Sequence, residues 1–120
     1  MPLIAALQSI AAADASGVGT IDVTGLAFKP AALGGNLTLT VRHPLIVSLD
    51  AGAGHRDVTL EAEAICPGRV RFVINHGAAN NIVVKNDAAA IVQTVGQNEG
   101  ALVYCDGTAW TTLGLVTITT

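Results

Sequence analysis

Residues 69–75, with the sequence RVRFVIN, indicate the fold class of this chain. Apolar and polar side chains alternate along the stretch, and a period of two is typical of a β-strand with one buried face. The alternation predicts a strand whose apolar residues point inward and whose arginines point outward. The predicted inward side chains are Val70, Phe72 and Ile74, and the predicted outward side chains are Arg69 and Arg71.

The same period recurs through most of the chain after residue 17. The alternating segments are NLTLTVR (36–42), DVTLEAEA (57–64), NNIVVK (80–85), AAIVQTV (89–95), ALVYC (101–105) and TTLGLVTIT (111–119). Glycine- and proline-containing turn signals separate them at roughly the 8–12-residue spacing of a sandwich or barrel. No helical pattern lies between the strands, which argues against βαβ units. We therefore predict one all-β domain over residues 18–120, an antiparallel β-sandwich or jelly-roll-like fold.

The N-terminal residues follow a different pattern. Their apolar side chains have helical spacing, and Pro2 suits the first turn of a helix. A helix this short is marginal alone in water, so it should dock on its own domain or on a neighbouring subunit. The sequence thus predicts a helical or extended arm over residues 1–17 and, since no basic leader is present, no signal peptide. The predicted interface residues of the arm are Leu3, Ile4, Leu7 and Ile10.

The composition favours assembly with other subunits. Hydrophobic residues make up 51% of the chain and charged residues 12%, about half the usual share for a soluble domain. Few charges are available to cover the surface, so we expect much of it to be buried against other copies or partners. A membrane protein is the competing explanation, but no apolar run reaches the roughly 18 residues of a spanning helix. The net charge of -3 and the lack of a Lys/Arg cluster argue against nucleic acid as a partner.

The segment VYCDGTAW (103–110) could be either a reactive corner or a hairpin. Asp106-Gly107 lies between two strand-like runs, and an Asp-Gly pair there favours a two-residue type I′ turn with positive φ at both residues. A reactive Cys105 would need a cationic or histidine neighbour to lower its pKa, whereas its neighbours are acidic and apolar. Cys105 also shares a face with the apolar Ala101 and Val103. We predict a structural turn at Asp106 and Gly107.

Nothing else in the chain indicates catalysis or a cofactor. Cys66 and Cys105 lack the spacing of a redox or zinc motif and are interpreted as two buried thiols. The loop DAGAGHRD (50–57) contains possible metal ligands but not in the order of a recognised site. The three histidines, which stand beside turns, are His43, His55 and His76. We predict no catalytic residue, no metal and no cofactor, and hence no enzyme.

The second half of the chain carries a recurring scheme. A strand bearing Phe72 is followed by N-x-G-x-A-x-x-I-x-V-K and then by a glycine-anchored strand that ends in C-D-G-T. From about Pro67 to Trp110 the chain resembles a segment found in small structural proteins and tail or fibre proteins of tailed bacteriophages. The residues that match the scheme are Phe72, Asn75, Gly77, Ala79, Ile82, Val84, Lys85, Gly100, Cys105, Asp106, Gly107, Thr108 and Trp110.

This resemblance implies a virion protein without catalytic activity. Chains of this size in that group are often capsid decoration (cement) proteins, commonly homotrimers that bridge subunits of the major capsid protein on the capsid surface. Such a protein would be made in the cytoplasm of the bacterial host. Trp110 is a further predicted interface or core residue. The alternative is a receptor- or glycan-binding module of a tail or head fibre, which would present Tyr104 or Trp110 to its ligand.

Overall fold

The computed structural model describes residues 27–119, which form nine β-strands and one 3-10 turn with no α-helix. The prediction of an all-β class is therefore confirmed. The predicted arm, residues 1–17, lies outside the described residues, together with Leu3, Ile4, Leu7 and Ile10. The strands are β1 (Ala27–Phe28), β2 (Leu37–Thr38), β3 (Ile46–Leu49), β4 (Arg56–Thr59), β5 (Val70–Asn75), β6 (Ile82–Lys85), β7 (Ile91–Val95), β8 (Glu99–Cys105) and β9 (Trp110–Thr117), and the 3-10 turn is Glu63–Ile65.

The first six strands alternate between two sheets. Strands β1, β3 and β5 pair in parallel in a five-stranded sheet, and β2, β4 and β6 do the same in a four-stranded sheet. Strand β7 then pairs antiparallel with β6, while β8 and β9 add two antiparallel strands beside β5. The resulting strand orders are β1-β3-β5-β8-β9 and β2-β4-β6-β7.

The prediction of purely antiparallel sheets is therefore wrong for β1 to β6. Parallel neighbours need a crossover connection, which is commonly a helix. Here the crossover is a strand of the other sheet, so the chain coils between two sheets and returns to each in the same direction. Both sheets are mixed, and the jelly-roll-like arrangement is not confirmed by this strand order.

One hydrophobic cluster contains buried residues of both sheets. Its members are nearly all aliphatic, in keeping with the low aromatic content, and burying each such side chain contributes roughly 1.5–3 kcal/mol. From the five-stranded sheet come Val47, Leu49, Val73, Ala101, Val103, Cys105 and Trp110, and from the four-stranded sheet Val58, Ile82, Val84 and Val95. Cys105 thus shares the buried face with Ala101 and Val103, as the alternation predicted.

Strand β5 has the opposite orientation to the one predicted from RVRFVIN. Arg71, Val73 and Asn75 are fully buried on the inner face, whereas Val70, Phe72 and Ile74 lie half-buried on the outer face. The inversion is possible because Arg71 has an acidic partner inside the protein. That partner, Glu61, stands at a polar position of the alternating segment 57–64, where alternation would point it outward, and it is only 4% exposed.

Two of the predicted strands are much shorter than their alternating segments. Only Leu37–Thr38 of segment 36–42 and residues up to Thr59 of segment 57–64 are in strands. Beyond β2, the carbonyl groups of Thr40 and His43 accept hydrogen bonds from arginine side chains, so they are not available to a neighbouring strand. Beyond β4, the chain enters the 3-10 turn.

Asp106 and Gly107 lie in the connection between β8 and β9, but this connection has four residues, 106–109, rather than two. Gly107 has a φ of +96°, and Asp106 is not among the residues with positive φ, so the turn is not type I′. The Asp106 carboxylate instead accepts hydrogen bonds from the backbone N–H groups of Thr108 and Ala109, both at 2.8 Å. These bonds hold the pKa of Asp106 below its usual value.

Candidate interaction surface

The outer face of the five-stranded sheet is apolar. We call it the apolar face and define it by seven side chains that the strand registers place together: Ile46, Val70, Phe72, Ile74, Leu102, Tyr104 and Val116. Tyr104 and Val116 are exposed, and the other five are half-buried. No charged side chain lies on this side of the paired parts of β3, β5, β8 and β9. An exposed apolar surface of this kind is more often a site of contact with another molecule than a surface that stays in contact with water.

The Phe72 side chain of the apolar face packs against Gly100 of the neighbouring strand β8. A Cβ atom on Gly100 would lie 2.2 Å from Cε1 of Phe72. The aromatic ring therefore covers bare backbone and occupies the space that a side chain would take. This contact favours the outward orientation of Phe72, and it gives a structural reason for two residues of the recurring scheme.

Strand β9 forms one edge of the five-stranded sheet within the described residues. It has eight residues, WTTLGLVT, and contains neither charge nor proline. Leu113, Leu115 and Val116 are 59%, 43% and 48% exposed, respectively. Natural proteins usually protect a long edge strand with lysine, proline or a bulge, and only a bulge at Leu113 is found here. Val116 extends the apolar face to this edge, whereas Leu115 lies on the side of its partner Ala101. The uncharged edge is suited to contact another protein chain.

The outer face of the four-stranded sheet is polar by comparison. The registers place Thr38, Asp57, Thr59, Lys85 and Thr94 on it, among a few apolar side chains. Lys85 Nζ donates a 2.9 Å hydrogen bond to Asp57 Oδ2, and both side chains are partly exposed. The two outer faces thus differ in chemistry, and the outer face of the four-stranded sheet is the one suited to contact with water.

A buried charged cluster lies on the inner side of β5. Arg71 Nε donates to Glu61 Oε1 at 2.9 Å, and both side chains are essentially inaccessible to solvent. Arg69 Nε lies 3.0 Å from Glu61 Oε2, close enough for charge attraction, although the N–H is not aligned for a hydrogen bond. One carboxylate therefore holds two arginines. Burial lowers the pKa of Arg71, and the adjacent Glu61 opposes that shift.

Arg71 also fixes the loop between β2 and β3. Its terminal nitrogens donate to the carbonyl oxygens of Thr40 at 2.7 Å, His43 at 2.9 Å and Pro44. A buried charge is tolerated when it is paired and fully hydrogen-bonded. The partners come from segments 10 to 31 positions away in the chain, so the cluster ties loop 40–44 and Glu61 to the centre of the sheet.

Trp110 is in the core of this chain. It is 7% exposed, and its indole Nε1 donates a 2.8 Å hydrogen bond to the backbone carbonyl of Glu61. Little of the ring is left for a neighbour to contact, and a subunit contact at Trp110 stays a prediction. Tyr104, by contrast, is 37% exposed and belongs to the apolar face.

Asn75 gives a structural reason for another part of the recurring scheme, the N-x-G element. Its side-chain nitrogen donates to the carbonyl oxygens of Asn80 at 3.0 Å and Val95 at 3.1 Å, and so links β5 to the end of β7 in the other sheet. Its oxygen accepts a hydrogen bond from Gly77 N at 3.1 Å. A Cβ on Gly77 would lie 2.7 Å from Asp50 Oδ1. The N-x-G element thus has a folding role here.

The potential metal ligands of loop 50–57 have other roles. His55 Nδ1 accepts a hydrogen bond from Asn81 N at 2.7 Å, Asp50 Oδ1 accepts one from Gly52 N, and Asp57 pairs with Lys85. Within residues 27–119, no group of three or more His, Cys, Asp or Glu side chains could hold a metal ion.

The two cysteines, in contrast, are brought together. Cys66 and Cys105 are 4% and 0% exposed, and their sulfur atoms are 3.3 Å apart. The burial of the two cysteines was predicted. Their contact was not predicted, because 39 positions separate them and no sequence motif indicates that they pair. The Glu61–Arg71 pair was likewise missed, since alternation alone assigns both side chains to the solvent side.

Comparison with known proteins gives no relative: no family model matches the chain, and neither a curated protein nor a solved structure matches it. The described part of the chain contains no helix that is long and apolar enough to cross a membrane.

Proposed function

We propose that this protein is a non-catalytic structural protein of a tailed-bacteriophage virion, and specifically a capsid decoration protein. The observation that carries the proposal is the apolar face of the five-stranded sheet, together with the uncharged edge of β9. Contact of such an apolar surface with water is unfavourable, and another protein that covers it removes this contact. The resemblance of residues 67–110 to phage structural proteins supports a virion as the kind of assembly.

The apolar face would supply the contact between copies of the chain. Stable interfaces bury roughly 800 Å² on each partner and have an apolar centre with a polar rim. The seven side chains of the apolar face would provide the centre. We propose a homotrimer on the capsid surface, which bridges neighbouring subunits of the major capsid protein. Many copies of such a modest contact would add up to a large stabilisation of the particle.

The N-terminal arm would make the second contact. We expect that removal of residues 1–13 leaves a folded β domain, because residues 27–119 contain two sheets that share one buried hydrophobic cluster. Assembly with the capsid or with other copies should weaken at least tenfold. Circular dichroism would report whether the β domain is folded, and sedimentation would report the assembly. A matched variant of the full chain has serine in place of the four predicted interface residues Leu3, Ile4, Leu7 and Ile10. An unfolded truncation product would contradict the assignment of an arm.

The direct test of the proposed function is a comparison of phage particles with and without this protein. Particles that lack it should lose their DNA at a lower temperature, and adding back the purified protein should restore the wild-type temperature. Electron microscopy of intact particles should place its density on the head. Density at the tail tip, with unchanged heat resistance of the head, would contradict the proposal.

Tyr104 favours one alternative, a receptor- or glycan-binding module of a fibre. An exposed tyrosine on an apolar sheet could stack on a sugar ring. Trp110, the other aromatic candidate, has its indole N–H bonded inside the chain. A glycan array probed with wild-type protein and with Tyr104→Ala would separate the two functions, since the decoration protein would bind no glycan.

A further inference from the structure

Two buried thiols meet beneath the 3-10 turn. The sulfur atoms of Cys66 and Cys105 lie 3.3 Å apart, while the sulfur–sulfur bond of a disulfide is about 2.0 Å long. A relative movement of little more than 1 Å would therefore bring them to bonding distance. Cys66 also donates to the carbonyl oxygen of Ala62 at 3.1 Å, which aligns its thiol within the turn.

The backbone on both sides already holds the two cysteines close. Cys105 N donates to Arg69 O at 2.9 Å, and Gly68 N donates to Cys105 O at 2.7 Å. Cys105 is thus fixed at the end of β8. Cys66 follows a turn whose Ile65 is 64% exposed, so this side of the pair can move by a small opening at the surface.

We propose that Cys66 and Cys105 are a site of oxidative modification, at which an intramolecular disulfide forms when the protein meets a low-molecular-weight disulfide such as oxidised glutathione. The bond would join the segment after β4 to the β8–β9 hairpin. It would lie next to the Glu61 backbone that binds the Trp110 indole. The inference does not depend on the proposed function, since it needs only transfer of the protein from a reducing to an oxidising solution.

The reaction is a pair of thiol–disulfide exchanges. The Cys66 thiol loses its proton to solvent, and its sulfur attacks the external disulfide to form a mixed disulfide while one small thiolate leaves. Cys105 then loses its proton, and its sulfur attacks Cys66 Sγ to release the second small thiolate. Two protein thiols are oxidised, and one external disulfide is reduced to two thiols.

The environment of the pair controls the rate of this reaction. Burial and the neighbouring Cys105 raise the pKa of Cys66 to about 12, so very little thiolate is present at neutral pH. Since the thiolate is the attacking species, formation of the bond should be slow at pH 7 and about tenfold faster at pH 8.

The experiment is incubation of the purified full chain with oxidised glutathione at pH 7 and pH 8. We expect loss of both thiols in a titration under denaturing conditions, a mass decrease of about 2 Da and no retained glutathione. The disulfide closes a chain segment of 39 positions, so the melting temperature should rise by roughly 10 °C and return to its starting value after reduction.

Cys66→Ala and Cys105→Ala are the matched controls. Each should be unable to gain the stabilisation, and under the same conditions each should stop at a mixed disulfide or an unmodified thiol. The proposal would be overturned if the wild-type chain kept two titratable thiols at pH 8, retained glutathione on either cysteine, or formed only cross-links between chains. Because these readouts come from the wild-type protein, they do not depend on the folding of either variant.

Discussion

The two faces of strand β5 differ in chemistry and in role. The inner face carries Arg71 and Asn75, whose polar groups are matched one by one by groups of the same chain. The outer face carries Phe72 and Ile74, which are apolar and only half-buried. The polar groups of Arg71 and Asn75 thus find their partners within one chain, whereas the apolar side chains of the outer face are only partly covered. We infer that the inner face determines the fold and that the outer face serves assembly.

The largest expected loss of stability follows from Glu61→Ala. This change leaves Arg71 buried and charged without its carboxylate partner, which should lower the free energy of unfolding by about 3–5 kcal/mol. Chemical denaturation would measure it. Glu63→Ala, two residues away in the partly exposed 3-10 turn, is the control and should change stability by less than about 0.5 kcal/mol. Equal effects of the two changes would contradict the role of the inner face.

Gly100→Ala should have the next largest effect, and it tests packing on the outer face. The added Cβ would lie 2.2 Å from the Phe72 ring, so we expect a loss of roughly 1–3 kcal/mol by overpacking. The same change in a Phe72→Ala background should cost clearly less, because the conflicting ring is absent. A double-mutant cycle by thermal or chemical unfolding measures the difference. Additive effects would show that the two residues do not compete for the same space.

A smaller effect should follow from Asp106→Asn, and it should depend on pH. The backbone N–H groups of Ala109 and Thr108 lower the pKa of Asp106 in the folded protein. Its stabilising contribution is therefore fully present above the usual pKa of 3.8 and is lost as the pH falls through the lower, folded value. Wild type and variant should differ in melting temperature at pH 6, and the difference should shrink as the pH falls below 3.8. A difference in melting temperature that increased toward acid pH would contradict this prediction.

Most of the strands were predictable from the sequence, but β1 and β3 lie outside the alternating segments and were missed, and the pairing and orientation of the strands were not predicted. A period of two locates β5, β6, β8 and β9, because alternation follows directly from strand geometry. It contains no information on whether neighbours run parallel. The alternation also predicted that the charged side chains of β5 point outward. Burial of Arg71 is possible because of Glu61, which lies ten positions earlier in a segment that itself has the pattern of a strand.

The interaction surface was predictable only in part. The low charge content indicated that some surface must be covered, and the structure concentrates uncharged surface on one sheet. Trp110 attracted attention as the only tryptophan, yet its indole bonds inside the chain, while Val116 gave no signal in an ordinary alternating run. The cysteine contact could not be seen in the sequence, because it depends on how the 3-10 turn folds back onto the end of β8.

The measurement that tests the central claim most directly is the oligomeric state of two lysine variants by sedimentation. Val116→Lys places a charge on the exposed part of the apolar face, and Thr94→Lys places the same charge on the polar face of the other sheet. Both exposed changes should alter the stability of a single folded chain by less than about 0.5 kcal/mol. We predict that the wild type and Thr94→Lys assemble equally, whereas folded Val116→Lys associates at least tenfold more weakly. Undiminished assembly of Val116→Lys, or a wild-type chain that remains monomeric both alone and with its capsid partner, would contradict the account.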